Sequence, residues 1–292
     1  MHRKNIFVRL IGILARKFRV LQEVWILPWW GSGGLATVPL WTLDTLVLLL
    51  KLCSTCTLAA AKVFIPPTMK SLHGETVLCY GYTIDVTARE QVAALALRMR
   101  RQLTDVSMVV SNAGLLTCAP ISHLRQDAIL KLIETNLLSH FWVIQAFLPN
   151  MIERRHGHII AINSSAGLMP CADMIPYCAA KFGLKGLMDS ITEELRLDTW
   201  TKNINTTSVY LATVATGMYP QPSHRFTTWY SEITARQAAK TIIEGVRKNY
   251  RNISIPSFMK FLIDLNNLMP FRIRVIFSDF FNIRHRGWFC FC

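Results

Sequence analysis

From residue 76 onward, strand-length runs alternate with helix-length periodic stretches. This alternation constrains the fold more than any other feature of the chain. Residues 106–110 and 158–162 are short apolar runs of the kind that a parallel sheet buries on both faces. Residues 76–84 and 206–211 also read as strands. Between residues 76–84 and 106–110, Val92, Leu95, Ala96, Met99 and Leu103 recur at helical spacing behind Thr87 and Glu90, which form a capping-box pair. Residues 126–151 and 176–200 are longer helical patterns, and Thr234 with Gln237 opens another helix that runs to about Lys248. Strand then helix, repeated, predicts an α/β fold with a parallel, doubly wound sheet. Ligands of such sheets lie beyond the carboxyl ends of the strands.

The charge is unevenly placed around this middle. The chain has 292 residues, a formal net charge of +14 and 51% apolar residues, a composition that excludes intrinsic disorder. Residues 1–62 carry +6, residues 63–219 carry +1 and residues 220–292 carry +7. The two basic ends are also apolar. That combination points to a membrane surface and away from nucleic acid, whose binders present a basic polar stripe. Residues 24–43 carry no charge and are long enough to span a bilayer; residues 45–61 are interrupted only by Lys51. Either run is expected to be a membrane helix or an interfacial anchor. Gly31-Ser-Gly-Gly34 is not read as a dinucleotide loop, because Pro28 interrupts its approach and Pro39 its exit. The eight cysteines form no disulfide framework. Cys53 and Cys56 lack the second pair or nearby histidine of a zinc site, so no metal is expected. A reducing, cytosol-facing compartment follows.

Four features fall where the strands deliver a site. Asn112-Ala113-Gly114 follows the 106–110 strand, and its glycine permits close backbone approach to a ligand. Asn136 lies in the long helix, and Ser164 and Ser165 follow the 158–162 strand. Tyr177 and Lys181 stand four apart on one helix face. An ordinary tyrosine, with a pKa of about 10, is a poor acid or base at neutral pH, and a cation beside it favours phenolate. A tuned tyrosine can pass a proton to or from an alcohol or carbonyl oxygen, with a nicotinamide as hydride partner.

The ordered set Asn112-Ala-Gly114, Asn136, Ser164 and Tyr177-Cys-Ala-Ala-Lys181 resembles the motif series of the short-chain dehydrogenase/reductase family. The serine thirteen residues before the tyrosine is Ser164 rather than Ser165. The resemblance implies a Rossmann-like sheet and NAD or NADP as cofactor. It implies Tyr177 as catalytic acid/base and Lys181 as the residue that lowers its pKa and holds the ribose. Ser164 would orient the substrate oxygen, and Asn136 would keep a proton-relay water. Asn112, Ala113 and Gly114 would line the cofactor. Asp85 resembles the adenine-contacting acid, and Thr216 the residue that meets the nicotinamide amide.

Further stretches narrow the resemblance. Lys62-Val-Phe-Ile-Pro-Pro-Thr-Met-Lys-Ser71, Ala146-Phe-Leu-Pro149, His156-Gly-His158 and Ser165-Ala-Gly-Leu168 are similar to the membrane-associated 16C branch, which holds retinol and 17-beta-hydroxysteroid dehydrogenases. The similarity covers roughly residues 43–285. It implies an apolar alcohol or ketone as substrate (a retinoid, steroid or lipid) and allows a homodimer. It also implies an endoplasmic reticulum membrane or lipid-droplet surface, with the catalytic domain facing the cytosol. The organisation expected is an anchor over residues 1–62, a dehydrogenase-like domain over 63–250 and an apolar, basic membrane-facing segment over 251–292.

One part of the family pattern is missing. A strand, the T-G-x-x-x-G-x-G loop, a helix and a second strand should begin just after Val77-Leu78, but the chain runs straight into Cys79-Tyr-Gly-Tyr-Thr-Ile-Asp85. Such a loop holds pyrophosphate on backbone N–H groups, and the second strand carries the residue that selects between the two nicotinamide cofactors. Leu211 also stands where the family commonly has proline. The sheet is therefore expected to be incomplete at its amino-terminal βαβ unit, and catalysis impaired. Residues 76–85 are expected to fill the central strand position beside residues 106–110.

Overall fold

The computed structural model describes residues 47–48, 50–52, 69–70, 82–102, 106–215 and 233–281. The chain divides into two compact units, Met1–Pro66 and Pro67–Cys292. Of the first, the described residues Val47, Leu48, Leu50, Lys51 and Leu52 are helical and exposed. The anchor runs otherwise lie outside the described residues. Among the described residues no helix is long and apolar enough to cross a membrane.

The second unit is built on four parallel strands in the order β1 (Met108–Ser111), β2 (Gly157–Ser164), β3 (Ile204–Leu211) and β6 (Asn252–Ile255). Their register places Ser111 opposite Ala161, Ser164 opposite Leu211, and Leu211 opposite Ile255. Two further short strands, β4 (Val214–Ala215) and β5 (Ile233–Thr234), pair with each other. The helices are α1 (Arg89–Gln102), α2 (Gln126–Ile133), α3 (Ser139–Arg154), α4 (Ile175–Leu197), α5 (Ala235–Arg247), α6 (Ser257–Asn267) and α7 (Phe271–Phe281).

Successive strand residues face opposite sides, and each side carries its own core. On one, Ile159, Ala161 and Ile204 pack with Ile144 and Met151 of α3 and with Leu184, Met188 and Leu195 of α4. On the other, Ile160, Val209, Ile253 and Ile255 pack with Ala238 and Val246 of α5. Helices thus cover both faces, as the alternating pattern predicts. Helix α1 lies against α3, with the Arg89 guanidinium 5.5 Å from the Trp142 ring centre and Arg100 paired to Glu153 at 2.6 Å. The capping box expected at Thr234 and Gln237 opens α5.

Three expectations are corrected. The first concerns residues 76–85. Tyr82–Asp85 form no strand, and residues 76–81 lie outside the described residues. The Asp85 amide donates to Gln91 Oε1 at 2.9 Å, and its carboxylate accepts from the Thr87 amide and hydroxyl at 2.9 and 2.7 Å. Those bonds build the turn into α1 and take backbone that a sheet ladder would need. Among the described residues nothing pairs with β1 on its far edge, and Val110 is 58% exposed. The second concerns the cap of α1: Asp85 and Gln91, not Thr87 with Glu90, tie down its start. The third concerns the long helix, which is broken by a π-helical turn, Glu134–Leu138, between α2 and α3.

At the carboxyl end, Met259 and Ile263 of α6 pack on Leu168 and Tyr210. The opposite side of α6 leaves Phe258, Phe261, Leu262 and Leu265 exposed, and Leu268, Phe271 and Ile276 continue the apolar surface through α7.

Candidate active site

The parallel register brings the carboxyl ends of β1 and β2 side by side, and the predicted residues assemble there. β1 ends at Ser111 and releases Asn112, Ala113 and Gly114; β2 ends at Ser164. Helix α4 supplies Tyr177 and Lys181. The π turn supplies Asn136, which is fully buried. An extra residue per turn re-aims a helical side chain, and such turns recur at functional sites. Asn136 Oδ1 accepts from Leu115 N at 3.1 Å, and Nδ2 donates to Leu115 O at 2.8 Å and Leu132 O at 3.0 Å. The amide therefore clamps the loop that leaves β1. Gly114 fits only because it lacks a side chain: a Cβ there would stand 2.8 Å from Asn136 Oδ1 and 3.9 Å from Lys181 Nζ.

Lys181 is buried, and its Nζ donates to the Ile162 carbonyl at 3.1 Å. The same ammonium lies 5.7 Å from the Tyr177 ring centre. Burial pulls the Lys181 pKa down to about 8. The Tyr177 pKa moves the other way. Burial raises it, while a hydrogen bond with the Ser164 hydroxyl works to lower it. The tuning expected of Lys181 is thus not what sets Tyr177 here: removal from water dominates and the phenol stays protonated at neutral pH. Ser164 Oγ also accepts from Ala166 N at 3.2 Å.

The other predicted residues are placed less favourably. Asp85 is held below the usual carboxylate range by the Thr87 hydroxyl and amide, so its acid is engaged in a local turn. Thr216 lies outside the described residues. Leu211 ends β3 between Ser164 and Ile255, and the Ala212 amide donates to Ile255 O at 2.9 Å, so the ladder runs on past the site of the usual proline.

Sequence reasoning missed two residues of this site. Asn163 Nδ2 donates to Lys181 O at 3.2 Å, and its Oδ1 accepts from Ser164 N at 2.8 Å, which joins β2 to α4. His140, fully buried, shares a hydrogen bond of 2.8 Å with Ser111 Oγ through Nδ1. Burial, then the Lys181 charge, push its pKa down to about 3, so it is a neutral strut under the β1 end. Its place four residues after Asn136 was the available signal. Among the described residues no His, Cys, Asp or Glu group could hold a metal.

The residues present fit a nicotinamide dinucleotide at one end only. A tyrosine, a lysine and a close-approach glycine meet at the strand ends, where the ribose and nicotinamide would lie. Among the described residues there is no counterpart for the pyrophosphate, and the sequence has no glycine loop between Val77 and Asp85.

A doubly wound parallel sheet with Ser, Tyr, Lys and Asn at its carboxyl ends defines a dehydrogenase-type protein. The chain belongs to the short-chain dehydrogenase/reductase family, in its 16C branch: residues 65–227 match the family described as short chain dehydrogenase. It is 31% identical over 208 residues to 17-beta-hydroxysteroid dehydrogenase 13 of Homo sapiens, covering 71% of this chain and 68% of that one. It is 30% identical over 207 residues to epidermal retinol dehydrogenase 2 of Mus musculus, covering 70% and 66%. The match thus spans about two thirds of the length of these relatives. Among solved structures, an alcohol dehydrogenase from Thermococcus sibiricus complexed with 5-hydroxy-NADP shares the fold at 19% identity and a TM-score of 0.50, covering 59% of this chain and 71% of that one.

Proposed function

We propose that this chain is a membrane-associated oxidoreductase for an apolar alcohol or ketone, such as a retinoid, steroid or other lipid, with impaired turnover. The observation that carries the reading is the convergence of Tyr177, Ser164, Asn136 and Lys181 at the carboxyl ends of β1 and β2. Tyr177 donates or accepts the proton at the substrate oxygen, and Ser164, at the carboxyl end of β2, orients that oxygen. Lys181 holds the ribose of NAD or NADP, beside Asn112, Ala113 and Gly114; Asn136 keeps the relay water. Asp85 and Thr216 belong to the same set. When bound, the dinucleotide supplies or takes the hydride. The names of the relatives, hydroxysteroid and retinol dehydrogenases, support an apolar substrate.

Impairment follows from the missing pyrophosphate loop and from the Ile162 carbonyl, which engages one of the donors of Lys181 Nζ. A second reading, a catalytically silent member, rests on the same two features. Membrane attachment is assigned to residues 1–62 and to the exposed Phe258, Phe261, Leu262 and Leu268 of the 251–292 segment, with Lys260, Arg272 and Arg274 among them. The domain of residues 63–250 faces the cytosol from the endoplasmic reticulum membrane or a lipid droplet, and a homodimer is its assembly.

Titration of the purified full chain with NADH and NADPH, followed by turnover of retinol and estradiol, tests this. Weak binding with slow turnover is the expected result. Tight binding with rapid turnover overturns the impairment, and no binding with no turnover favours the silent member. Carbonate-resistant membrane pelleting lost on deleting residues 1–62 tests the anchor; unchanged pelleting rejects it.

A further inference from the structure

Three thiols that the acid–base set does not use surround Tyr177. Cys118 and Cys171 are half-buried, Cys178 is 7% exposed, and none is in a disulfide. They gather in one cluster with Leu116, Ala166, Met174 and Tyr177, and all three lie close enough to act on the Tyr177 phenol electrostatically.

Cys171 and Cys178 are the closer pair. Cys178 stands in the first turn of α4, next to Tyr177 in sequence. Cys171 lies seven residues earlier, and the chain between them doubles back through Asp173, whose φ of 61° is left-handed. The Cys178 thiol donates to the Cys171 carbonyl at 3.9 Å, and the Cys171 thiol donates to the Met169 carbonyl at 3.9 Å. The neighbouring Cys171 side chain, with the backbone of Cys171 and Cys178, draws the Cys178 pKa below that of an ordinary thiol, and Cys171 is pushed up in return. The thiolate is the nucleophilic form of cysteine, and a low-pKa thiol beside a resolving thiol is the arrangement that peroxides oxidise.

We infer that Cys171 and Cys178 form a hydroperoxide-reactive dithiol that closes into a disulfide around Tyr177. The Cys178 thiolate attacks one oxygen of the peroxide, and the O–O bond breaks. The other oxygen leaves as an alcohol, or as water, with a proton, and Cys178 becomes a sulfenic acid. The Cys171 sulfur, losing its proton, displaces the hydroxyl; the S–S bond forms and water leaves. Two thiols are thereby oxidised by two electrons, and one peroxide is reduced. The closed ring spans residues 171–178 and holds Tyr177 within it. This chemistry needs no dinucleotide and stands apart from whether the chain turns over an alcohol.

The test uses the reduced full chain in detergent, treated with hydrogen peroxide, alkylated and digested with trypsin. Both cysteines fall in one tryptic peptide, residues 156–181, and Cys118 falls in another. The expected product is that peptide lighter by two hydrogens and resistant to alkylation until reduced, with two thiols lost of the eight in the chain. Cys171→Ser should leave a sulfenic acid on Cys178 that dimedone traps, and Cys118→Ser should leave the disulfide unchanged. The inference is overturned if both cysteines of the 156–181 peptide recover as alkylated thiols while others oxidise, or if the bond joins Cys118. The untreated-sequence experiment needs no variant, so a misfolded substitution cannot mask the outcome.

Discussion

Lys181 Nζ donates to the Ile162 carbonyl at 3.1 Å, so the buried ammonium is tied to the end of β2 and not to the Tyr177 hydroxyl. Its pKa of about 8 lies below the ordinary 10.5, because burial disfavours the charge. Between those values the unfolded chain holds a proton that the folded chain has released. Stability therefore rises with pH from about 8 to about 10.5, by about 3 kcal/mol in all. Urea unfolding at pH 7.5 and pH 10 should show the rise in the natural chain and lose it in Lys181→Met. Equal rises in both would refute the assignment.

Tyr177 should titrate above an ordinary tyrosine, since burial outweighs the Ser164 hydrogen bond. Tyrosine labelled with carbon-13 at Cζ, assigned through Tyr177→Phe, reads the midpoint directly. Ser164→Ala removes the one lowering contact and should move the midpoint further up. A midpoint below the ordinary value would mean that the lysine does control it.

Two glycines should respond in opposite directions. A Cβ at Gly167 would stand 2.7 Å from Lys181 O and 2.9 Å from Asn163 Oδ1, and helix backbone cannot step aside. Gly167→Ala should cost about 2 kcal/mol. At Gly186, exposed within α4, nothing lies within 4 Å of an added Cβ, and Gly186→Ala should stabilise by up to about 1 kcal/mol. Thermal melting of the two variants decides the matter, and a shared sign would contradict the packing described.

Asn136→Ala should cost about 2 kcal/mol, because Leu115 N, Leu115 O and Leu132 O lose their partner together. Chemical denaturation measures it. Limited proteolysis near Leu115 should quicken in the same variant, because the loop leaving β1 loses its clamp.

The sheet was legible because parallel strands buried on both faces are written as unbroken apolar runs. Residues 158–162 and 206–211 fall inside β2 and β3, and residues 106–110 lie within two residues of β1. The motif residues were legible by their order. Other parts were not. The β-branched and aromatic run Tyr82-Thr-Ile84 suits a strand by propensity, yet the Asp85 amide is captured by Gln91 in a helix-start turn. The π turn hides inside Leu137-Leu138, where apolar residues satisfy either spacing. The four-residue spacing of Tyr177 and Lys181 placed both on one face but could not reveal that the Ile162 carbonyl claims the ammonium. That contact is tertiary, across nineteen positions.

Helix α6 grips the sheet with Met259 and Ile263, and one residue at its end, Asn267, donates to the Leu168 carbonyl at 3.2 Å. Leu168 lies four residues beyond Ser164. The helix is therefore a lever with a short arm at the serine and a long oily arm, through Phe261 and Leu268, in the surroundings. Whatever pulls on the outer arm acts on the backbone four residues from Ser164.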